Sequence, residues 1–325
     1  MIPTIKQICR AYPFFAAAER MKTGRPSEVS VHNVLSGVHK LCKASGLSVR
    51  APISAFTRQV FDKALVTFMD RGHSRVSVRT YLQQFQALLG RWTRPYYADA
   101  GWEIPPIDLP NFRAIAPRYA RPSPELLRQV RTWYLGLTPD ENDTRHTRNA
   151  DIWFAATMML EFAVRNGDVL RLTRDNFVLV KPETSDSQPA APGPQPPPRH
   201  FLSYTPHKTA LTSGRRVFWP IHDDIWERIE QRFILDRPPS AIGRPLLEEN
   251  PFKEINRQLR TIGIHSNKAS YELRKICIDH VYQRFGAEMA SSISGDDLKT
   301  ITHYYADPAQ PNIGNVRVVD LLPSP

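Results

Sequence analysis

The stretch Phe162-Ala163-Val164-Arg165-Asn166-Gly167-Asp168-Val169-Leu170-Arg171-Leu172-Thr173-Arg174-Asp175 decides the fold. Residues 151–164, which run into it, are apolar nearly all round and read as a buried helix. A cation, Arg165, follows the last buried position directly, and an acid, Asp168, sits three residues on. Leu170-x-Leu172 and Asp175 then lead into Phe177-Val178-Leu179-Val180, a short apolar run that reads as a strand. A charged pair thus stands where a core helix hands over to a small sheet.

Moving toward the C-terminus, Phe201–Tyr204 and Arg215–Ile221 read as two more strands. Between the first two strands, residues 182–198 hold seven prolines in 17 positions, which no packed element tolerates, so they read as an extended loop. Helices resume at Ile225/Ile229/Phe233 and at Phe252/Ile255/Leu259/Ile262, the latter capped by Asn250 and stopped by Gly263. Two more are expected over 269–285 and 296–305. Moving toward the N-terminus, Ser123, Pro124 and Glu125 open a capped helix. Residues 104–124 contain six prolines and read as a linker that also carries Arg113, Arg118 and Arg121. Before it lie helices over Val29–Ser45 and Phe56–Met69. A third, capped by Ser77, has the stripe Val78, Leu82, Phe85, Leu89 and Trp92. Its other face carries Arg79, Gln83, Gln84, Gln86 and Arg91 with no acid among them. Residues 1–28, with Pro3, Pro13, Gly24 and Pro26, read as a loosely ordered arm. The expected fold class is mainly α with a small antiparallel β-sheet. The expected segments are 1–28, a helical domain over 29–112, a linker over 113–122, a second domain over 123–307 and a tail over 308–325.

Composition narrows the function. The chain of 325 residues is 41% hydrophobic, enough for two cored domains. It has no run of 18 apolar residues, so no membrane span is expected, and no secretory signal is visible. Cys9, Cys42 and Cys277 are far apart, which excludes a disulfide framework and a cysteine-rich zinc site and fits a reducing cytoplasm. Up to Arg121 there are 18 Lys and Arg against 7 Asp and Glu; beyond it there are 25 of each. The whole net charge of +11 therefore sits in the N-terminal third. Such a block gains affinity for a polyanion by releasing counterions from phosphates. Double-stranded DNA is the expected partner, with Arg79, Gln83, Gln86, Arg91, Arg113, Arg118 and Arg121 as candidate contacts.

Three stretches of the second domain resemble the boxes of the tyrosine recombinase, or phage integrase, family. The first is the opening stretch, in which Arg165, Asp168, Leu170, Leu172 and Asp175 match the family's first arginine box. The second is His207-Lys208-Thr209 followed by Gly214-Arg215-Arg216-Val217-Phe218-Trp219-Pro220, which resembles the family's β-hairpin lysine and its surroundings. The third joins Tyr271-Glu272-Leu273-Arg274 to the segment from Gly295 to Asp307. The resemblance covers 123–307 well and extends loosely to 29–112, where the family has a helical DNA-clamping domain. It implies a catalytic domain that breaks and rejoins DNA, as a site-specific recombinase or integrase of a mobile element does.

The chemistry implied by the resemblance suits these residue types. A tyrosine attacks phosphorus and builds charge on the non-bridging oxygens, which Arg165 and Arg274 would hold. Lys208 would protonate the departing 5′-oxygen. The 3′-phosphotyrosyl product conserves the bond energy, so no cofactor and no metal are implied. Asp168 would hold Arg165 or a neighbouring basic group in place. Counting from Leu298 selects Tyr304 as nucleophile, the preferred choice here, and counting from Gly295 selects Tyr305. Two departures stand out: Tyr271 and Asp296 occupy the places of the usual histidines. Tyr271 is expected to donate to a phosphate oxygen in place of the imidazole. Asp296, whose carboxylate would repel a phosphate, is expected to cap the next helix and point away. His265 and His303 are the nearby imidazoles that could replace the missing ones. The alternatives are a catalytically impaired relative that only binds DNA, a telomere-resolvase or topoisomerase-like enzyme with the same tyrosine chemistry, and a basic helical nucleic-acid binder. A homo-tetramer on DNA is expected, linked through Val316–Leu322, with an accessory directionality protein as a possible further partner.

Overall fold

Residues 1–28 form no loose arm. In the computed structural model they carry helix α1, Ile5–Thr23. Thr4 caps it: its hydroxyl accepts from the Gln7 N–H at 3.2 Å, and the Gln7 side-chain oxygen accepts from the Thr4 N–H at 2.8 Å. This reciprocal cap stabilises a helix start by about 1 kcal/mol. Pro13 lies inside the helix and removes one donor, which in an isolated helix costs about 3 kcal/mol. Burial outweighs it, because Ile5, Ile8 and Tyr12 are all inside the core, and each such side chain contributes roughly 1.5–3 kcal/mol. The prolines signalled a breaker; the apolar stripe and the Thr4-x-x-Gln7 cap decided the outcome.

The structure describes residues 1–113, 119–137, 146–180, 199–210, 214–235 and 243–305. The chain divides into two units, Met1–Ala116 and Pro117–Pro325. Arg118, the proline-rich loop 182–198 and the tail 308–325 with Val316–Leu322 lie outside the described residues, as does part of the expected linker.

The first unit continues with α2, Glu28–Ser45, α3, Arg58–Asp70, α4, Arg75–Leu88, and the short α5, Arg94–Asp99. Helix α2 packs on α3 and α4, and Phe56, Phe61 and Phe85 meet at its centre with ring centroids 4.5–5.3 Å apart. The cap of α4 is Ser74, not Ser77: the Ser74 hydroxyl accepts from the Ser77 N–H at 3.2 Å. The helix then ends at Leu88, which fills the core place expected of Leu89.

The second unit opens with α6, Pro124–Leu135, capped by Ser123, and α7, His146–Leu160. The one-turn α8, Asn166–Val169, leads to strands β1, Phe177–Val180, β2, Arg199–Tyr204, and β3, Val217–Pro220. They form an antiparallel sheet in the order β1-β2-β3, with Phe177 opposite Leu202 and Tyr204 opposite Val217. Helix α9, Asp223–Ile229, runs on into a π-helical turn over Glu230–Leu235. The remaining helices are α10, Phe252–Thr261, α11, Ala269–Ser294, and α12, Leu298–Tyr305. Helix α11 is longer than the expected 269–285 because it resumes beyond a break at Gly286 (φ 82°, ψ 179°). Helix α7 is buried along most of its length and packs against α10 and α11 at the core. Among the described residues no helix is long and apolar enough to cross a membrane.

Candidate functional site

Arg165 is placed by the way α7 ends. Ala163 takes a left-handed conformation (φ 50°), and the Val164 N–H reaches back to the Met158 carbonyl at 2.9 Å, closing the helix in a tight turn. Arg165 then stands as the N-cap residue of α8, with its side chain 14% exposed. Arg274 comes from the core-facing side of α11 and is fully buried. A buried guanidinium needs a counter-charge, and the structure supplies one.

That counter-charge is Asp296. Its Oδ2 accepts from Arg274 Nη2 at 2.6 Å, and its Oδ1 accepts from Arg165 Nη2. One carboxylate therefore bridges both arginines. Asp296 does not cap α12 and point away. Its neighbour Asp297 does the capping, with Oδ1 accepting from the Thr300 N–H at 2.6 Å, a bond that holds the Asp297 carboxyl below the usual range. Burial works against the charge on Arg274; Asp296 first, then Tyr271 and Tyr204, more than offset it, so its pKa is raised. Tyr271 thus lies against Arg274, on the turn of α11 before it.

Asp168 joins the first box to the hairpin. Its Oδ1 accepts from the His207 N–H at 2.9 Å, and its Oδ2 lies 3.8 Å from Arg165 Nη1. Lys208 follows His207 in an exposed turn after β2. Past the turn, Arg215 Nη2 donates to Ser292 Oγ at 3.3 Å and Nη1 to Ser291 Oγ, tethering the hairpin to the end of α11. Ser291 Oγ in turn donates to the Asp296 carbonyl at 2.6 Å. Gly295, left-handed at φ 65°, is the pivot: a Cβ there would lie 2.7 Å from Pro206 Cγ and 3.1 Å from Val217 Cγ2.

The two tyrosines of α12 part company. Tyr304 is 38% exposed, and its backbone carbonyl accepts from the Tyr119 N–H at 3.1 Å. Tyr305 is 9% exposed and packs between Tyr119 and Tyr282, with centroids 5.5 and 6.4 Å away. Burial raises the pKa of its hydroxyl, Arg274 opposes that rise, and Tyr271 and Asp296 also act on it. Tyr305 is thus the buried member of the pair and the one whose hydroxyl feels Arg274, while the preferred Tyr304 is the exposed one. His265 and His303 are both exposed, and no bond joins either to the arginines among the described residues. Sequence reasoning missed Tyr204. It ends β2, is 6% exposed, and lies among Arg274, Asp168, Arg165 and Asp296, while burial raises the pKa of its hydroxyl. Its only sequence signal is a polar-tipped residue closing an otherwise apolar strand just before the lysine turn.

In the first unit, Arg79, Gln83 and Gln86 of α4 line one groove of about 510 Å³ together with Asn111, Phe112 and Arg113. Gln84 does not share it, because it packs on α2 against Gly37. Arg91 is exposed but lies beyond the end of α4, off the helix face expected to carry it. Arg121, in the second unit, has a 41% exposed side chain, and its Nε donates to Asp279 Oδ1 at 3.0 Å, neutralising a carboxylate that is otherwise buried. An unanticipated basic groove of about 480 Å³ follows α2, lined by His32, His39, Lys40 and Lys43. Among the described residues no three His, Cys, Asp or Glu side chains group as metal ligands would.

A helical second unit with a three-stranded antiparallel sheet and paired arginines beside a C-terminal tyrosine helix defines a tyrosine-recombinase-like fold. The chain is similar to the XerH site-specific recombinase bound to difH substrate in a pre-cleavage complex, with a TM-score of 0.56 and 12% identity over 85% of this chain and 76% of that one. It is also similar to the Tn1549 transposon integrase in complex with transposon right end DNA, with a TM-score of 0.51 and 11% identity over 93% and 95% of the two chains. A post-cleavage XerH complex with palindromic difH gives a TM-score of 0.53 at 14% identity over 86% and 77%. No protein-family model matches the sequence, and no curated protein matches it.

Proposed function

We propose that the protein is a site-specific DNA recombinase or integrase that works through a 3′-phosphotyrosyl intermediate. The observation that carries this is the meeting of Arg165 and Arg274 on one anionic group. Two guanidiniums aimed at one point suit the two non-bridging oxygens of a phosphodiester, whose charge grows as a fifth oxygen approaches phosphorus. Tyr305 is the nucleophile: its hydroxyl gives up its proton to solvent as its oxygen forms the new P–O bond, and the bond from phosphorus to the 5′-oxygen breaks. Lys208 donates the proton to that oxygen from its exposed turn, and Asp168 positions the turn by holding the His207 N–H. Tyr271 takes the place of an imidazole as a donor beside Arg274. The basic first unit clamps the duplex through the groove of Arg79, Gln83, Gln86 and Arg113, in a domain that begins before residue 29 because α1 belongs to its core. A homo-tetramer on two duplexes, a linking role for Val316–Leu322 and an accessory directionality protein complete the proposal. The host element and the cytoplasmic setting belong to the same reading.

One observation favours a second reading, a DNA-binding relative without catalysis: Asp296 places a carboxylate inside the clamp. The two are separated with a library of duplexes of randomised sequence, each carrying a nick that traps the cleaved state. The wild-type chain should yield SDS-resistant protein–DNA adducts whose sequences converge on one site. Tyr305→Phe should abolish them and Tyr304→Phe should preserve them. The opposite pattern returns the role to Tyr304; specific binding without any adduct supports the second reading.

A further inference from the structure

We infer that the arginine clamp is an anion seat whose occupant in the free protein is Asp296, and that Tyr204 is a further ligand of the phosphate that displaces it. The identity of that phosphate as a DNA phosphodiester rests on the function proposed above.

The carboxylate uses one N–H of each guanidinium, Nη2 in both cases. Other buried donors have no acceptor within hydrogen-bond distance: Arg274 Nε, Arg274 Nη1 and Tyr204 Oη, and also Arg165 Nη1, whose nearest charged partner is Asp168 Oδ2 at 3.8 Å. Buried N–H and O–H groups are rarely left so, and a cluster of them around one point marks a place built for more acceptors than are present. A flat carboxylate offers two oxygens in one plane. A tetrahedral phosphodiester spreads four, and can engage the donors that Asp296 leaves idle. Tyr204 suits this role because its buried hydroxyl makes no hydrogen bond, stands at the fixed end of a strand, and feels Arg274 first, then Asp168, Arg165 and Asp296.

Asp296 is also placed to leave. It stands in the short non-helical link between α11 and α12, right after left-handed Gly295. Its side chain is 21% exposed where that of Arg274 is 1% exposed, so the carboxylate closes the seat from the solvent side. A phosphate arriving from solvent meets Asp296 first and must expel it. Engagement of the scissile phosphate is then conditional on DNA contacts made elsewhere, and free phosphate is excluded.

The test uses the full chain and two probes, inorganic phosphate and acetate, with thermal unfolding as the readout. Asp296→Ala empties the seat and leaves Arg274 unpaired, so the variant should melt below wild type in anion-free buffer. Phosphate should then raise its midpoint with saturation, well beyond any general salt effect, which wild type reports at the same concentrations. Acetate should be the weaker rescuer. Adding Tyr204→Phe to Asp296→Ala should raise the half-saturating phosphate concentration about tenfold, the worth of one hydrogen bond to a charged group. The inference is overturned if phosphate stabilises wild type as much as the variant, if acetate rescues as well as phosphate, or if the variant stays unfolded in both. An unchanged phosphate requirement in the double variant removes Tyr204. None of these readouts involves DNA. A seat that binds phosphate in a protein forming no adduct would retract the recombinase proposal and leave the seat standing; adducts without anion rescue would do the reverse.

Discussion

Gly295→Ala should be among the most damaging single-methyl additions in the second unit. Two costs combine. At φ 65° an alanine adopts a left-handed conformation, which costs roughly 1–2 kcal/mol. The new Cβ would also lie 2.7 Å from Pro206 Cγ and 3.1 Å from Val217 Cγ2, well inside the ordinary carbon–carbon separation. Pro206 is a closed ring that cannot rotate aside, so the hairpin and the end of α11 must separate, an overpacking of about 1–3 kcal/mol. The sum is about 2–5 kcal/mol, which for a domain of this size corresponds to a fall in Tm of at least about 4 °C. Gly243→Ala isolates the first cost: Gly243 has φ 78°, and nothing lies within 4 Å of its would-be Cβ. Scanning calorimetry of the full chain should show Gly295→Ala melting clearly below Gly243→Ala. Equal melting of the two would mean that the hairpin is not pressed against Gly295, and the tethering of Lys208 to the clamp would go with it.

Other outcomes follow from the same structure. Lys208→Ala should cleave ordinary DNA slowly and a 5′-bridging phosphorothiolate at near wild-type rate, because a thiolate leaves without a proton; equal defects on both substrates would remove Lys208 from the acid role. Arg79→Gln and Arg113→Gln should each lower the magnitude of the log–log salt slope of DNA binding by about 0.9, the value for one phosphate that the protein no longer neutralises; an unchanged slope would mean that other cations neutralise the backbone. Stability should fall steeply above pH 10. Burial pushes the Tyr12 hydroxyl up to about 12 and raises those of Tyr97, Tyr119, Tyr204 and Tyr305. Only the unfolded chain then ionises just above the ordinary tyrosine pKa, so unfolding releases protons there. Each such tyrosine removes about 1.4 kcal/mol per pH unit above about pH 10, up to its folded value. Urea midpoints taken from pH 9 to 11 test this, and a flat profile would refute it.

Much of the fold is legible in sequence because the helices carry their own stripes and caps. Val31, Val34, Val38 and Leu41 mark α2, and Ser123-Pro124-Glu125 marks the start of α6. Helix α1 is hidden because Pro13 and Pro26 signal breakage while Thr4 and Gln7, three residues apart, signal a start. The ends of α4 shift because Ser74 and Ser77 are equally good caps by residue type, and only packing selects Leu88 over Leu89. At the site, the order of Arg165, Lys208, Arg274 and the tyrosines can be read from local boxes. What they touch cannot. The fate of Asp296 depends on a buried guanidinium contributed by another helix, and the choice between Tyr304 and Tyr305 depends on which side of α12 is buried. Arg121 reads as available in sequence, but a buried Asp279, far along the chain, needs it.

The burial of Arg274 reaches beyond chemistry into synthesis. A guanidinium with 1% of its side chain exposed is tolerable only once a carboxylate is beside it, and removing one partner of a buried pair costs about 3–5 kcal/mol. That partner, Asp296, is translated later than Arg274 and later than all of α11. A nascent chain that has emerged only as far as α11 therefore holds an uncompensated charge at the centre of its second unit. The helices can form, but their closure is disfavoured until Gly295 and Asp296 emerge. Closure of the second unit around Arg274 thus waits on the segment that leads into the tyrosine helix.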